Sequence, residues 1–224
     1  MKLILKLKLS KRKGFKMKTE IRFCQDIGMF AQDRSREYSC LHRTAFCEKT
    51  CYNGKLEKLY SSTIPGKDSR NDLYWNELNG TVLKNALKNR KLFTGRFRFC
   101  TRGEAFRDAS DIPKIREILL SNPEVLFWIP TRAWRNFSLR YLIQDEIMPL
   151  RNARVQASID PSNDELEIEL LKADGWSTMF YGDDTATDKG FKCPKTWNKA
   201  KGHCAVCEKG CFSEKRTDVH LKQH

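Results

Sequence analysis

The sequence predicts an α/β protein: a partial, open parallel β/α barrel with a cysteine-rich metal-binding loop on its N-terminal side and a second one in its C-terminal tail. Three observations carry this. Short β-rich runs alternate with helical segments of about a dozen residues through the body, the pattern of βαβ units. Four such runs are clear and one or two upstream are weaker, too few to close an eight-stranded barrel. Most of the nine cysteines fall into two tight groups flanking that body. A flat doubly wound sheet is the alternative, and either architecture places function at the C-terminal ends of the strands.

Taken in order, residues 1–19 open the chain as a basic arm or an edge strand. Lysine at alternate positions in LILKLKL leaves one apolar face and breaks the unbroken apolar run that a secretory signal needs. Phe23 and its neighbours begin a weak strand, and NDLYWNELNGTVLKNALKNRKL reads as one helix. RFRFCTRGEAF is the first clear strand, followed by DASDIPKIREILLSNP, a helix with Ser/Asp at its start and Ile112, Ile115, Ile118 and Leu119 on one face. EVLFWIPTR is the second strand, and SLRYLIQDEIMPLRN is a helix with Ser138 as its candidate N-cap. ARVQASIDPSN, the helix DELEIELLKADG and the strand GWSTMFYGDD complete the series. Starts near Phe97, Val125, Val155 and Ser177 lie about 22 to 30 residues apart, the length of a βα unit. The chain thus divides into the arm (1–19), a β/α domain holding the first cysteine group (20–191) and a basic cysteine-rich tail (192–224).

The net charge of +14 is concentrated at the two ends, and the body is close to neutral. Basic ends suit an anionic partner, a nucleic acid or a nucleotide substrate, with simple solvation as the plain alternative. No stretch approaches the roughly 18 apolar residues of a membrane span, so no membrane partner is expected. A chain of 224 residues buries a core without disulfides, and with no signal segment the cysteines are expected to be reduced and cytoplasmic. Metal binding then explains their clustering. Cys24 and Cys100 stand alone and read as small buried apolar residues.

The first group is Cys40, Cys47 and Cys51, spaced C-x6-C-x3-C; the second is Cys193, Cys204, Cys207 and Cys211, spaced C-x10-C-x2-C-x3-C. Thiolates at such spacings converge on one soft cation or cluster. Four thiolates suit zinc or a [4Fe-4S] cluster equally, so the tail metal stays open. The tail also matches a zinc-finger spacing through Cys204, Cys207, His220 and His224, but the two apolar core positions of a finger hold Cys211 and Thr217. A set of three cysteines with His203 or His220 is the remaining arrangement. Polar residues gather at the strand ends: Thr101, Arg102, Gly103 and Glu104, then Thr131 and Arg132, then Ser158 and Asp160, then Gly182, Asp183 and Asp184. Such a rim reads as one side of a pocket. Asp160, just before Pro161, also suits a turn. Arg102, Arg132 and Trp134 are candidates for orienting an anionic or aromatic substrate by a forked guanidinium and a stacking surface, whereas Trp128 reads as packing. The histidines His42, His203, His220 and His224 lie outside the βα body, which argues against a histidine-based triad, and His42 reads as exposed or as a neighbour of the ligands.

Cys47-x3-Cys51 followed by Tyr52, the strand end Thr101 to Glu104 (TRGE) and the strand Gln156 to Asp160 (QASID) together resemble the radical S-adenosylmethionine superfamily. The resemblance implies that Cys40, Cys47 and Cys51 hold a [4Fe-4S] cluster with one iron open to S-adenosylmethionine, and it tilts the tail site toward a second iron–sulfur cluster, with zinc as the alternative there. It also implies that Gly103 and Glu104 hold the methionine amine and that Ser158 and Asp160 lie near the cofactor. The usual spacing there is C-x3-C-x2-C; Gly54 occupies the third position here, and Cys40 would take its place. Most of residues 20–213 is similar to the phage family called gene product eighty-eight. The similarity lies in a cysteine upstream of Phe46-Cys47-x3-Cys51-Tyr52, a strand ending in Gly plus acid, the Phe127 to Arg132 strand and the terminal C-x2-C-x3-C before Phe212. That resemblance implies a phage-type protein of the host cytoplasm on a radical-enzyme-like scaffold, and no particular reaction.

Overall fold

Alternation in the strand RFRF sets the plan of the molecule: Phe97 and Phe99 are fully buried, and Arg96 and Arg98 point to the opposite side. In the computed structural model, which describes residues 19–182, 190–197, 203–213 and 217–223, this alternation recurs across a single open sheet. The chain runs through strands β1 (Arg22–Cys24) and β2 (Met29–Gln32), then helices α1 (Arg36–Ser39), α2 (Ala45–Thr50), α3 (Tyr52–Leu59), α4 (Ile64–Glu77) and α5 (Gly80–Leu87). The βα series follows: β3 (Arg96–Phe99), α6 (Asp111–Ser121), β4 (Leu126–Thr131), α7 (Phe137–Glu146), β5 (Ala153–Ile159), α8 (Glu165–Ala173) and β6 (Ser177–Gly182). The tail adds β7 (Phe191–Lys192), α9 (Pro194–Trp197) and β8 (Val219–Lys222).

Strand order is β1-β2-β3-β4-β5-β6-β8-β7. Every pairing is parallel except the β1–β2 hairpin. The expectation of an open α/β sheet therefore holds: β1 and β7 are its two edges. One face carries the main core, in which Phe97, Phe99, Phe127, Ile129, Ala157 and Ile159 pack against helical residues such as Trp75, Leu83, Ile115, Ile143 and Leu171. The other face has a smaller cluster of Met29, Trp128, Met179, Phe212 and Val219, with the cysteines Cys24, Cys193, Cys204 and Cys211 packed against it. The helices that follow the strands cover the first face, and residues of the cysteine-rich tail pack on the second.

Several local expectations change. The long helix before β3 is two helices, because Asn79 accepts a hydrogen bond from Val82 N and starts a new one. Glycine is needed next, since a Cβ at Gly80 would sit 2.2 Å from Ser121 Cβ. Helix α7 is capped by Asn136, whose Oδ1 accepts from Leu139 N at 3.1 Å, rather than by Ser138, which lies inside the helix. Residues 219–222, the helix of the zinc-finger alternative, are instead a strand paired parallel to β6. The arm 1–18, Asp183, Asp184 and His224 lie outside the described residues.

Candidate functional site

The turn after β3 is built first, because everything else is fastened to it. Cys100 takes a positive φ of 59°, rare for a residue with a side chain, and Gly103 follows at φ +84°. A Cβ at Gly103 would stand 2.6 Å from Arg34 O and 2.8 Å from Ser39 Oγ, so only glycine fits. One oxygen of the buried Asp33 pins the turn by accepting from Thr101 N, Thr101 Oγ1 and Arg102 N at 2.8, 2.8 and 3.1 Å. Behind it, Arg34 pairs with Asp111 at 2.7 Å and lies 4.5 Å over the Trp75 ring, both groups buried. These contacts hold Glu104 at the strand end. Its carboxylate accepts from Arg132 N at 2.8 Å and Phe106 N at 3.3 Å, and burial pushes its pKa up against those donors.

Three hydrogen bonds then fasten the cysteine loop to the ends of β3 and β5. Glu104 N donates to Ser39 Oγ at 2.9 Å, beside Cys40; Asn53 Nδ2 donates to Thr101 O at 3.2 Å, beside Cys51. Thr44 does the most: its hydroxyl donates to Asp160 Oδ2 at 2.6 Å and accepts from Cys47 N at 2.9 Å, capping α2. Cys40, Cys47 and Cys51 thereby come within electrostatic range of one another. Cys51 begins α3, and its thiol is held down to about 6 by a hydrogen bond from Cys47, against burial and with help from the Gly54 and Asn53 amides. That same hydrogen bond pushes Cys47 up, and burial pushes Cys40 up to about 12.

These thiols open on a pocket of about 170 Å³ whose other walls include Gly103, Glu104, Arg132, Ser158 and Arg98. It lies at the C-terminal ends of β3, β4 and β5, where the strand-end rim was expected. Arg132 reaches Asp160 at 2.7 Å. Asp160 is itself buried, and its other oxygen accepts from Ser162 N and Oγ; despite burial, bonds from Ser162 and Thr44 hold its pKa below the usual range. It therefore positions Thr44 and Arg132 and does not line the pocket. His42 lines the pocket, with Nε2 3.1 Å from Arg107 O.

Two expected substrate contacts are placed elsewhere. Arg102 is buried and engaged by Asp68 and Glu57, each at 2.6 Å, under α3 and α4. Trp134 is also buried, and its indole donates to Ser158 O at 2.9 Å. Arg98 was missed by sequence reasoning. Its guanidinium lies 4.2 Å over Trp128, which packs as expected, and its Nε donates to Cys100 O at 3.3 Å. The signal was the RFRF alternation, which puts Arg98 on the face opposite the phenylalanines. Cys100 is buried, as expected of an isolated cysteine, whereas Cys24 is half-buried.

The tail cysteines Cys193, Cys204, Cys207 and Cys211 line a separate void of about 20 Å³ between Phe191, Phe212 and Val219. His220 does not join them. It is fully buried on the opposite side of β8 from Val219, with its ring edge-on to Phe180 and Trp197 at 5.1 Å each. Among the described residues, no three His, Cys, Asp or Glu side chains already stand in a metal-coordinating arrangement. Nor is any helix of those residues long and apolar enough to cross a membrane.

Comparison with curated proteins and with solved structures yields no match. The family model described as Gene product 88 matches residues 3–209, which takes in the cysteine loop, the strand-end turn and the βα series. With most of its length covered by that match, this chain belongs to the Gene product 88 family.

Proposed function

We propose that this chain is an iron–sulfur protein with a radical S-adenosylmethionine-like site, in which Cys40, Cys47 and Cys51 hold a [4Fe-4S] cluster at the C-terminal strand ends. The observation that carries the reading is the junction of three thiols with the Gly103-Glu104 strand end around one pocket. The donor set suits the group: three thiols leave one position open to a ligand, and Cys51 is already biased to thiolate. Bound there, such a cluster supplies one-electron chemistry toward the sulfonium of S-adenosylmethionine.

The chain's own residues do the positioning. Gly103 lets the backbone approach closely, and Glu104 presents a carboxylate to an ammonium group while Arg132 N and Phe106 N fix its orientation. Arg132 and Arg98 offer guanidinium groups to an anionic substrate, a nucleotide among them. Ser158, on the same wall, offers a hydroxyl. Anaerobic purification with iron and sulfide analysis and EPR tests the reading. About four irons and four sulfides at this site are expected, with an EPR signal on reduction that changes when S-adenosylmethionine is added. Zinc at every cysteine site with no iron would end it. The alternative, a non-catalytic nucleic-acid-binding module held by zinc or inert clusters, rests on the basic ends. It requires affinity for nucleic acid to fall steeply as salt rises.

A further inference from the structure

We propose that Cys193, Cys204, Cys207 and Cys211 hold a single zinc ion as a tetrathiolate that pins the tail to the sheet. The four thiols come first. They line one pocket of about 20 Å³, and four cysteine thiolates around one ion is the tetrahedral arrangement of a structural zinc site.

The walls agree with a structural site. Phe191, Phe212 and Val219 line the void beside the cysteines, with Lys195 and Lys209 as the charged residues of its wall. The backbone at each ligand is fixed by the sheet. Arg96 donates to Cys204 O at 2.9 Å and Cys207 O at 2.7 Å, with its guanidinium 4.8 Å over Phe212. Cys193 N donates to His220 O at 2.9 Å, tying the first ligand to β8. Gly210, at φ +66°, turns the chain between Cys207 and Cys211. Each thiol gives its proton to solvent as the ion binds.

The inference holds whether or not the first cysteine group carries a cluster.

Zinc K-edge absorption on the full-length wild type tests it, with four sulfur neighbours at about 2.3 Å expected. Metal analysis of the Cys40→Ala/Cys47→Ala/Cys51→Ala variant is expected to give one zinc per chain and no iron. Iron and sulfide persisting in the triple variant, or fewer than four sulfurs around zinc in the wild type, would overturn the zinc site. A wild type that holds zinc in the tail and no iron anywhere would sink the iron–sulfur reading and leave this one standing.

Discussion

Cys40, Cys47 and Cys51 sit at the C-terminal ends of the strands, in a pocket of about 170 Å³ whose walls carry Glu104, Arg132 and His42. Cys193, Cys204, Cys207 and Cys211 lie against apolar residues, around a void of about 20 Å³. The same residue type is thus set in two surroundings. Room and polar walls leave a metal an open position for chemistry, whereas four thiols set among apolar residues would saturate it and make it a clamp. The difference also shows in how the cysteines are held. The first group is fastened mainly through side-chain hydrogen bonds to a strained turn, and the second through backbone carbonyls and amides to strands.

The largest break in this contrast is expected from Gly103→Val. The new Cβ meets Arg34 O and Ser39 Oγ at the joint between the turn and the cysteine loop, and a β-branched residue at φ +84° adds strain. Destabilisation of about 3 kcal/mol or more in chemical denaturation is expected, while Cys193 to Cys211 still bind their metal in the fraction that folds. The next tests why the spacing departs from the radical-enzyme pattern. Gly54 has room for a side chain, with Cys51 Cβ and Arg36 Cζ each 3.8 Å from an added Cβ. If Cys40 is the third ligand, Cys40→Ala should remove the first metal, and adding Gly54→Cys should restore part of it by iron analysis.

The smallest effect is one of acidity. In metal-free protein Cys51 should alkylate as a thiolate down to about pH 6, below which protonation slows it. Removing its hydrogen-bond donor by Cys47→Ala should move that midpoint upward. On stability the sign follows from the lowered folded pKa: the contribution of Cys51 is present above its unfolded value and is lost as pH falls through the folded one. Mass-spectrometric alkylation rates at several pH values read the first of these directly.

The two regions also differ in how legible they were. Strands β3 to β6 could be read because apolar runs alternate there with helices of regular period. Strand β2, MFAQ, is buried throughout, so it has no alternation to see, and β8, VHLK, is short and hidden inside a finger-like spacing. Glu104 and Arg132 were found because strand ends point to a common rim. Arg102 and Trp134 share that rim in sequence, but their side chains turn inward to Asp68 and to Ser158 O, and adjacency alone does not say which way a side chain turns. Asp33 was missed because its role exists only through contact with residues nearly seventy positions away.

The contrast between an open site and a closed one is tested most directly by full metal analysis of Cys47→Ala and Cys207→Ala, each purified anaerobically alongside the wild type. Cys47→Ala is expected to lose iron and keep one zinc, and Cys207→Ala to lose zinc and keep iron. Loss of the same metal from both variants would contradict the account, because it would mean that the two cysteine groups serve a single site.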